Sequence, residues 1–191
     1  NKLGKLNSND LAILTKKFYN DTYTMDQFGC SSPNSVFWLG KNNIAKKNFW
    51  FELSNIVNKK YDLDLSGANK KISNLMNHTL GKNKRFKANI KNFNLITLKS
   101  KKLSFDNFEN INFGTFLEIN LHDINHLRKY TSEKLQTVTY YGTDFKSIKK
   151  FIINNKIKGI DRIVPIGRAF DLTPEWDGVD IISTLSRTIG V

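Results

Sequence analysis

Cysteine is almost missing from this chain: Cys30 stands alone among 191 residues. A single thiol excludes an internal disulfide framework and any zinc site built on cysteine pairs, and it fits a reducing cytoplasm. No stretch approaches the roughly 20 consecutive apolar residues that a membrane-spanning helix needs, so no membrane span is expected. Gly-rich phosphate loops of the GxGxxG or GxxxxGK[ST] type are absent, and no serine lies in a GxSxG context. The start, Asn1-Lys2-Leu3-Gly4, has neither an initiator Met nor the apolar core of a signal peptide, and it reads as the middle of a longer protein. Arginine is scarce as well, at 5 against 25 lysines, although the net charge is +13. Readers of nucleic-acid bases lean on Arg for bidentate contacts. The lysines are scattered in short pairs such as Lys46-Lys47, Lys59-Lys60 and Lys70-Lys71, and they accompany 24 Asn. That combination resembles the codon bias of an AT-rich genome with solvated helix faces. Nucleic acid is therefore not the expected partner, though a basic nucleic-acid-binding module remains the rival reading.

What is present is globular. The hydrophobic fraction is 39% and aromatics make up 12%, enough for one domain with a sizeable core. Residues 8–23 show helical spacing, with Leu11, Leu14, Phe18 and Tyr19 on one face and Ser8 or Asn9 available to cap. A turn-rich stretch follows, then a short β-prone run over 35–39. Residues 43–61 and 66–80 read as amphipathic helices, the second ended by Gly81. Residues 88–90, 94–98 and 114–121 read as strands and 123–129 as a short helix. The last third alternates regularly: strand 135–141, a helix capped by Asp144 to about residue 155, strand 162–166, and a final helix over 179–188. Strands alternating with helices imply crossover units and an α/β fold with a mostly parallel sheet. There is no internal repeat and no low-complexity linker.

Several constellations are candidates for chemistry. Cys30 sits in Asp26-Gln27-Phe28-Gly29-Cys30-Ser31-Ser32-Pro33, between a helix and a strand. Free backbone N–H groups at Cys30 and Ser31 suit a thiolate and later an oxyanion, and Gly29 permits unusual backbone geometry. No His, Lys or Arg lies within three residues. From the residues alone Cys30 is either a nucleophile or a buried structural thiol. The stretch Asp161-Arg162-Ile163-Val164-Pro165-Ile166-Gly167-Arg168-Ala169, with Trp176-Asp177-Gly178, concentrates acids and arginines at a strand end, where α/β proteins place their sites. A salt-bridged loop closing the core is the plain alternative. Glu133, ahead of Leu135-Gln136-Thr137-Val138, reads as an ordinary charged lead into a strand. His122 and His126 share helical spacing, but no motif supplies a third ligand, and no metal is expected.

Together, the Cys30 segment, Leu135-Gln136-Thr137-Val138, the Asp161–Ala169 run and Trp176-Asp177-Gly178 with Leu185-Ser186-Arg187 resemble the LuxC family of acyl-CoA reductases, closest to its non-luminescent branch. Residues 41–130 carry little of the resemblance. It implies an aldehyde dehydrogenase-like catalytic domain covering 1–191, with helices on both faces of the sheet and the dinucleotide-binding domain absent, so that this portion alone is expected to be inactive. It implies Cys30 as nucleophile on an acyl-CoA or related thioester, with Gly29 and Ser31 contributing backbone to an oxyanion site. NADPH or NADH then reduces the acyl-enzyme to an aldehyde. Glu133 is the positional candidate for the nicotinamide ribose, though the superfamily's usual Glu-Pro-Phe-Gly-Pro-Val is not reproduced. The superfamily's Gly-Gln-x-Cys order also differs: here Gln27 precedes the cysteine by three and Gly29 by one. Arg162, Arg168 and Asp177 match family positions. A cytoplasmic location, an acyl-protein synthetase partner and a homo-oligomer are implied. A non-catalytic scaffold homologue is the second rival.

Overall fold

The computed structural model describes residues 2–80, 86–99, 111–133, 135–176, 178–187 and 189. After a 3-10 turn at Leu3–Lys5, α1 (Ser8–Tyr23) begins where the Asn7 side chain accepts from the Asp10 N–H at 2.8 Å. The cap thus falls one residue before the expected Ser8 or Asn9. Leu14 and Phe18, one turn apart, turn the buried face of α1 inward. The chain then enters β1 (Ser35–Leu39), followed by α2 (Asn43–Lys60) and α3 (Leu65–Thr79), capped by Asn42 and Asp64. The expected stop at Gly81 lies outside the described residues.

Three further strands, β2 (Lys87–Asn92), β3 (Leu95–Lys99) and β4 (Thr115–Leu121), complete a sheet of order β1-β4-β3-β2. β4 pairs in parallel with both β1 and β3, and only β2 runs antiparallel, as a hairpin partner of β3. After a 3-10 helix at Ile124–Tyr130, β5 (Thr137–Tyr140), α4 (Phe145–Asn154) and β6 (Arg162–Pro165) form a crossover unit with β5 and β6 parallel. Pro165 fits there because its position in the register turns the missing N–H away from β5. Asp144 precedes α4 as expected, but its side chain makes no cap hydrogen bond.

The sheet is mainly parallel, and helices cover both faces, as an α/β fold requires. On one face Leu95 and Phe116 pack with Leu14, Phe18, Phe49, Trp50, Leu53 and Val57 of α1 and α2. On the other, Ile96, Leu98, Leu117, Ile119 and Leu121 pack with Leu127 and Phe151. β4 is therefore buried almost throughout, and its sequence reads apolar on both faces apart from Glu118 and Asn120.

The C-terminal part departs from expectation. In place of one helix over 179–188, a two-residue hairpin forms from β7 (Glu175–Trp176) and β8 (Val179–Asp180), and only Ile181–Leu185 is helical, as α5. Asp180 is the reason: its carboxylate accepts from the Ser183 N–H at 3.1 Å, which starts the helix two residues later. Residue 188 lies outside the described set.

One buried charge stands out. Lys71 on α3 is 2% exposed and donates to the Phe113 carbonyl. Burial pulls its ammonium down to about 7. Between that value and the unfolded one near 10.4, the unfolded chain holds a proton at this site that the folded chain does not. The Lys71 contribution to stability therefore rises with pH from about 7 to about 10, by on the order of 4 kcal/mol, and is flat below. Urea denaturation of the wild type and Lys71→Met at pH 7 and pH 9 is expected to show a gain with pH in the wild type that is largely absent in the variant.

Candidate functional site

The Cys30 loop is built from the end of α1 outward. Asp26 and Gln27 both adopt left-handed backbone, with φ of 50° and 64°, so the helix ends abruptly and the chain reverses toward the sheet. This strain is held by side chains. The Tyr61 hydroxyl donates to Asp26 Oδ1 at 2.6 Å, and the Asp26 carbonyl accepts from the Phe113 N–H at 3.1 Å. Burial, and next the hydrogen bond to Asp26, push the Tyr61 phenol well above its usual range.

Gln27 is the larger anchor. Its buried amide donates to the Pro33 carbonyl at 3.1 Å and to the Thr115 carbonyl at 3.0 Å, and accepts from the Gly114 N–H at 2.7 Å. One side chain thus ties the loop to the residue just before Asn34 and β1 and to the start of β4.

Within the loop, Ser32 N–H donates to the Gly29 carbonyl at 2.8 Å, closing a tight turn around Cys30. The Cys30 thiol is exposed. No described residue accepts from the backbone N–H of Cys30 or Ser31, so two donors stay free beside the sulfur. Ser31 is buried, and its hydroxyl lies 3.0 Å from that of Thr137 at the start of β5. The expectation for Gly29 changes in kind. It does not adopt positive φ; it is needed for space, since a Cβ there would lie 2.7 Å from the Phe170 ring.

Phe170 is placed by the second constellation. Arg162 donates to the Ala169 carbonyl at 2.5 Å and to the carbonyls of Arg168 and Asp171, while its guanidinium lies 5.0 Å from the centre of the Trp176 ring. From α1, buried Asp21 accepts from the N–H of Gly167 at 2.6 Å and of Ala169 at 3.1 Å. Burial raises the Asp21 carboxyl, and the two N–H bonds offset part of that rise. Arg162 and Asp21 thus fix the loop that carries Phe170 against Gly29. Arg168 pairs with Asp171 on the surface. Asp177 lies outside the described residues.

Glu133 lies apart from this cluster. It is exposed and pairs with Lys158 at 3.5 Å. The rings of His122 and His126 stand 6.0 Å apart, with His126 Nδ1 3.2 Å from Asp123. Among the described residues no group of three potential ligands gathers, and no helix is long and apolar enough to cross a membrane.

Beside the loop runs a crevice of about 350 Å³, lined by residues 30–40 and 135–143 and floored by side chains from both cores. Cys30, Ser31 and Thr137 stand in its wall. The sequence reading missed Asp21 and the role of Gln27. Asp21 did leave a signal: it follows Leu14 and Phe18 on the same buried helix face, where a carboxylate needs donors. The chain matches no protein-family model and no curated protein.

Gln27→Ala would leave the Gly114 N–H and two carbonyls without partners in the interior. A loss of about 3 kcal/mol is expected, read by urea denaturation. Iodoacetamide labelling of Cys30 in the still-folded variant is expected to change rate as well, because the loop loses its tie to β4.

Proposed function

We propose that the chain is the catalytic part of an acyl-thioester reductase of the LuxC type, with an aldehyde dehydrogenase-like fold and Cys30 as the nucleophile. The observation that carries this reading is the exposed Cys30 thiol set between two unpartnered backbone N–H groups, on a loop held rigid by Gln27. A structural thiol would be buried; a nucleophile must be reachable and have donors ready for the charge it creates. The mainly parallel sheet with the loop at a helix-to-strand junction agrees with it.

The step these residues support is acyl transfer. The Cys30 thiolate attacks the thioester carbonyl carbon, and the carbonyl oxygen takes up negative charge opposite the N–H groups of Cys30 and Ser31. The new S–C bond persists as the old one breaks, and CoA departs as a thiolate that takes a proton from solvent. The reading also carries NADPH or NADH and an aldehyde product. The described residues offer no phosphate cradle for a dinucleotide, and Glu133 is engaged with Lys158 away from Cys30, so the chemistry of these residues ends at the acyl-enzyme. Arg162 and Asp21 serve it as positioning residues, through Phe170 and Gly29.

Incubation with decanoyl-CoA is expected to add one decanoyl group, mapped by mass spectrometry to Cys30, removable by neutral hydroxylamine and absent from Cys30→Ser. Labelling of Cys30 by iodoacetamide should slow in its presence. Decanoyl groups found only on lysines, or an unmodified chain, would sink the reading.

A further inference from the structure

The crevice separates two strands that belong to different sheets. β1 is the outer strand of the four-stranded sheet and β5 one of the two strands of the smaller one, and no ladder joins them. All of both strands lines the crevice. In a parallel ladder a residue turns its N–H and C=O to the same side, and successive residues alternate. The Asn34 carbonyl accepts from Leu117 N–H at 2.9 Å, so Asn34, Val36 and Trp38 turn their main-chain groups to β4. Those of Ser35, Phe37 and Leu39 then face the crevice. Opposite, the Gln136 carbonyl accepts from Asp161 and Arg162 N–H, and the Tyr140 carbonyl from Ile166 N–H at 3.1 Å. Gln136, Val138 and Tyr140 therefore serve β6, and Thr137, Thr139 and Tyr141 face the crevice.

Two rows of backbone donors and acceptors thus look at each other across a cavity. Its side walls are apolar on both faces: Leu14, Phe18 and Phe49 belong to one core, Leu121 and Leu127 to the other. An occupant has to pair along both edges at peptide spacing and be apolar above and below. That describes a central strand of a parallel sheet, whose sequence is a continuous aliphatic run. A plain alkyl chain would fill the volume and leave both rows unpaired, at about 1–3 kcal/mol for each buried group.

We propose that the crevice is a strand-accepting slot that takes an extended peptide segment of about five aliphatic residues and joins the two sheets into one, in the order β2-β3-β4-β1-peptide-β5-β6. The occupant is polypeptide, recognised through its main chain. The slot begins at the Cys30 loop, where Ser31 already bridges to Thr137, so its filling would fix β5 against the loop. The proposal stands apart from the acyl-transfer reading and does not require that Cys30 react.

The test is hydrogen exchange of the wild-type chain followed by NMR, with the acetylated and amidated peptide Glu-Val-Ile-Val-Ile-Val-Glu. The glutamates give solubility and meet Lys2 and Lys46, which also line the crevice. Saturable slowing of exchange by about tenfold or more, equivalent to about 1.4 kcal/mol, is expected at Phe37, Leu39, Thr139 and Tyr141. Val36, Trp38, Val138 and Tyr140, already in ladders, should change little. The same peptide N-methylated at its three central residues should have no effect. The proposal is overturned if exchange is unchanged, or if the N-methylated peptide or decanoate produces the same pattern. Protection that appears on raising the chain concentration alone, without peptide, would assign the slot to a second copy and overturn it too.

Discussion

The Gln27 amide sits where the end of α1, the Cys30 loop, the approach to β1 and the start of β4 meet. Three backbone groups that would otherwise be orphaned in the interior are satisfied by one side chain, which itself rests on a left-handed backbone. Asp26 beside it adopts the same conformation and is held by Tyr61 and Phe113. The strain of two such residues, on the order of 1–3 kcal/mol each, persists only because the surroundings fix them from several directions. Fixing them sets where β1 starts and therefore how it registers with β4. It also sets the direction in which Cys30 leaves the helix.

A second set of ties works from the far end of the chain. Asp21 reaches from α1 to Gly167 and Ala169, and Arg162 gathers the carbonyls of the same loop. These polar groups are satisfied mutually, as buried polar groups must be. Their joint effect is to seat Phe170 over Gly29, so the β5–β6 unit contributes a wall to the cysteine loop although no ladder connects it to the main sheet. The conspicuous Asp161–Ala169 stretch is thereby explained as a positioning device for the loop rather than as a set of reacting groups.

The legibility of the sequence was uneven for physical reasons. The extents of α1, α2, β1, β4 and α4 follow from local signals: apolar period, caps and strand-forming runs, which act within a few residues. The C-terminal segment failed because Asp180 has two uses, as the end of a hairpin strand and as a helix cap, and helical spacing of apolar residues does not choose between them. Cys30 was legible as a candidate from its small neighbours, but its exposure was not. Gly29 was singled out for the wrong property: its φ is ordinary, and the nearness of Phe170, which lies at the other end of the chain, makes the glycine necessary.

The sequence by itself determined the class of fold, the alternation of strands and helices in the last third, and the position of a lone cysteine in a helix-to-strand turn, because each is encoded in neighbouring residues. Tertiary structure alone decided that Gln27 would meet Thr115 across 88 positions and Asp21 meet Gly167 across 146. It alone decided that β1 and β5 would face each other across a crevice without pairing. Those outcomes depend on main-chain N–H and C=O groups, which every residue carries alike, so no side-chain pattern marks which of them will meet.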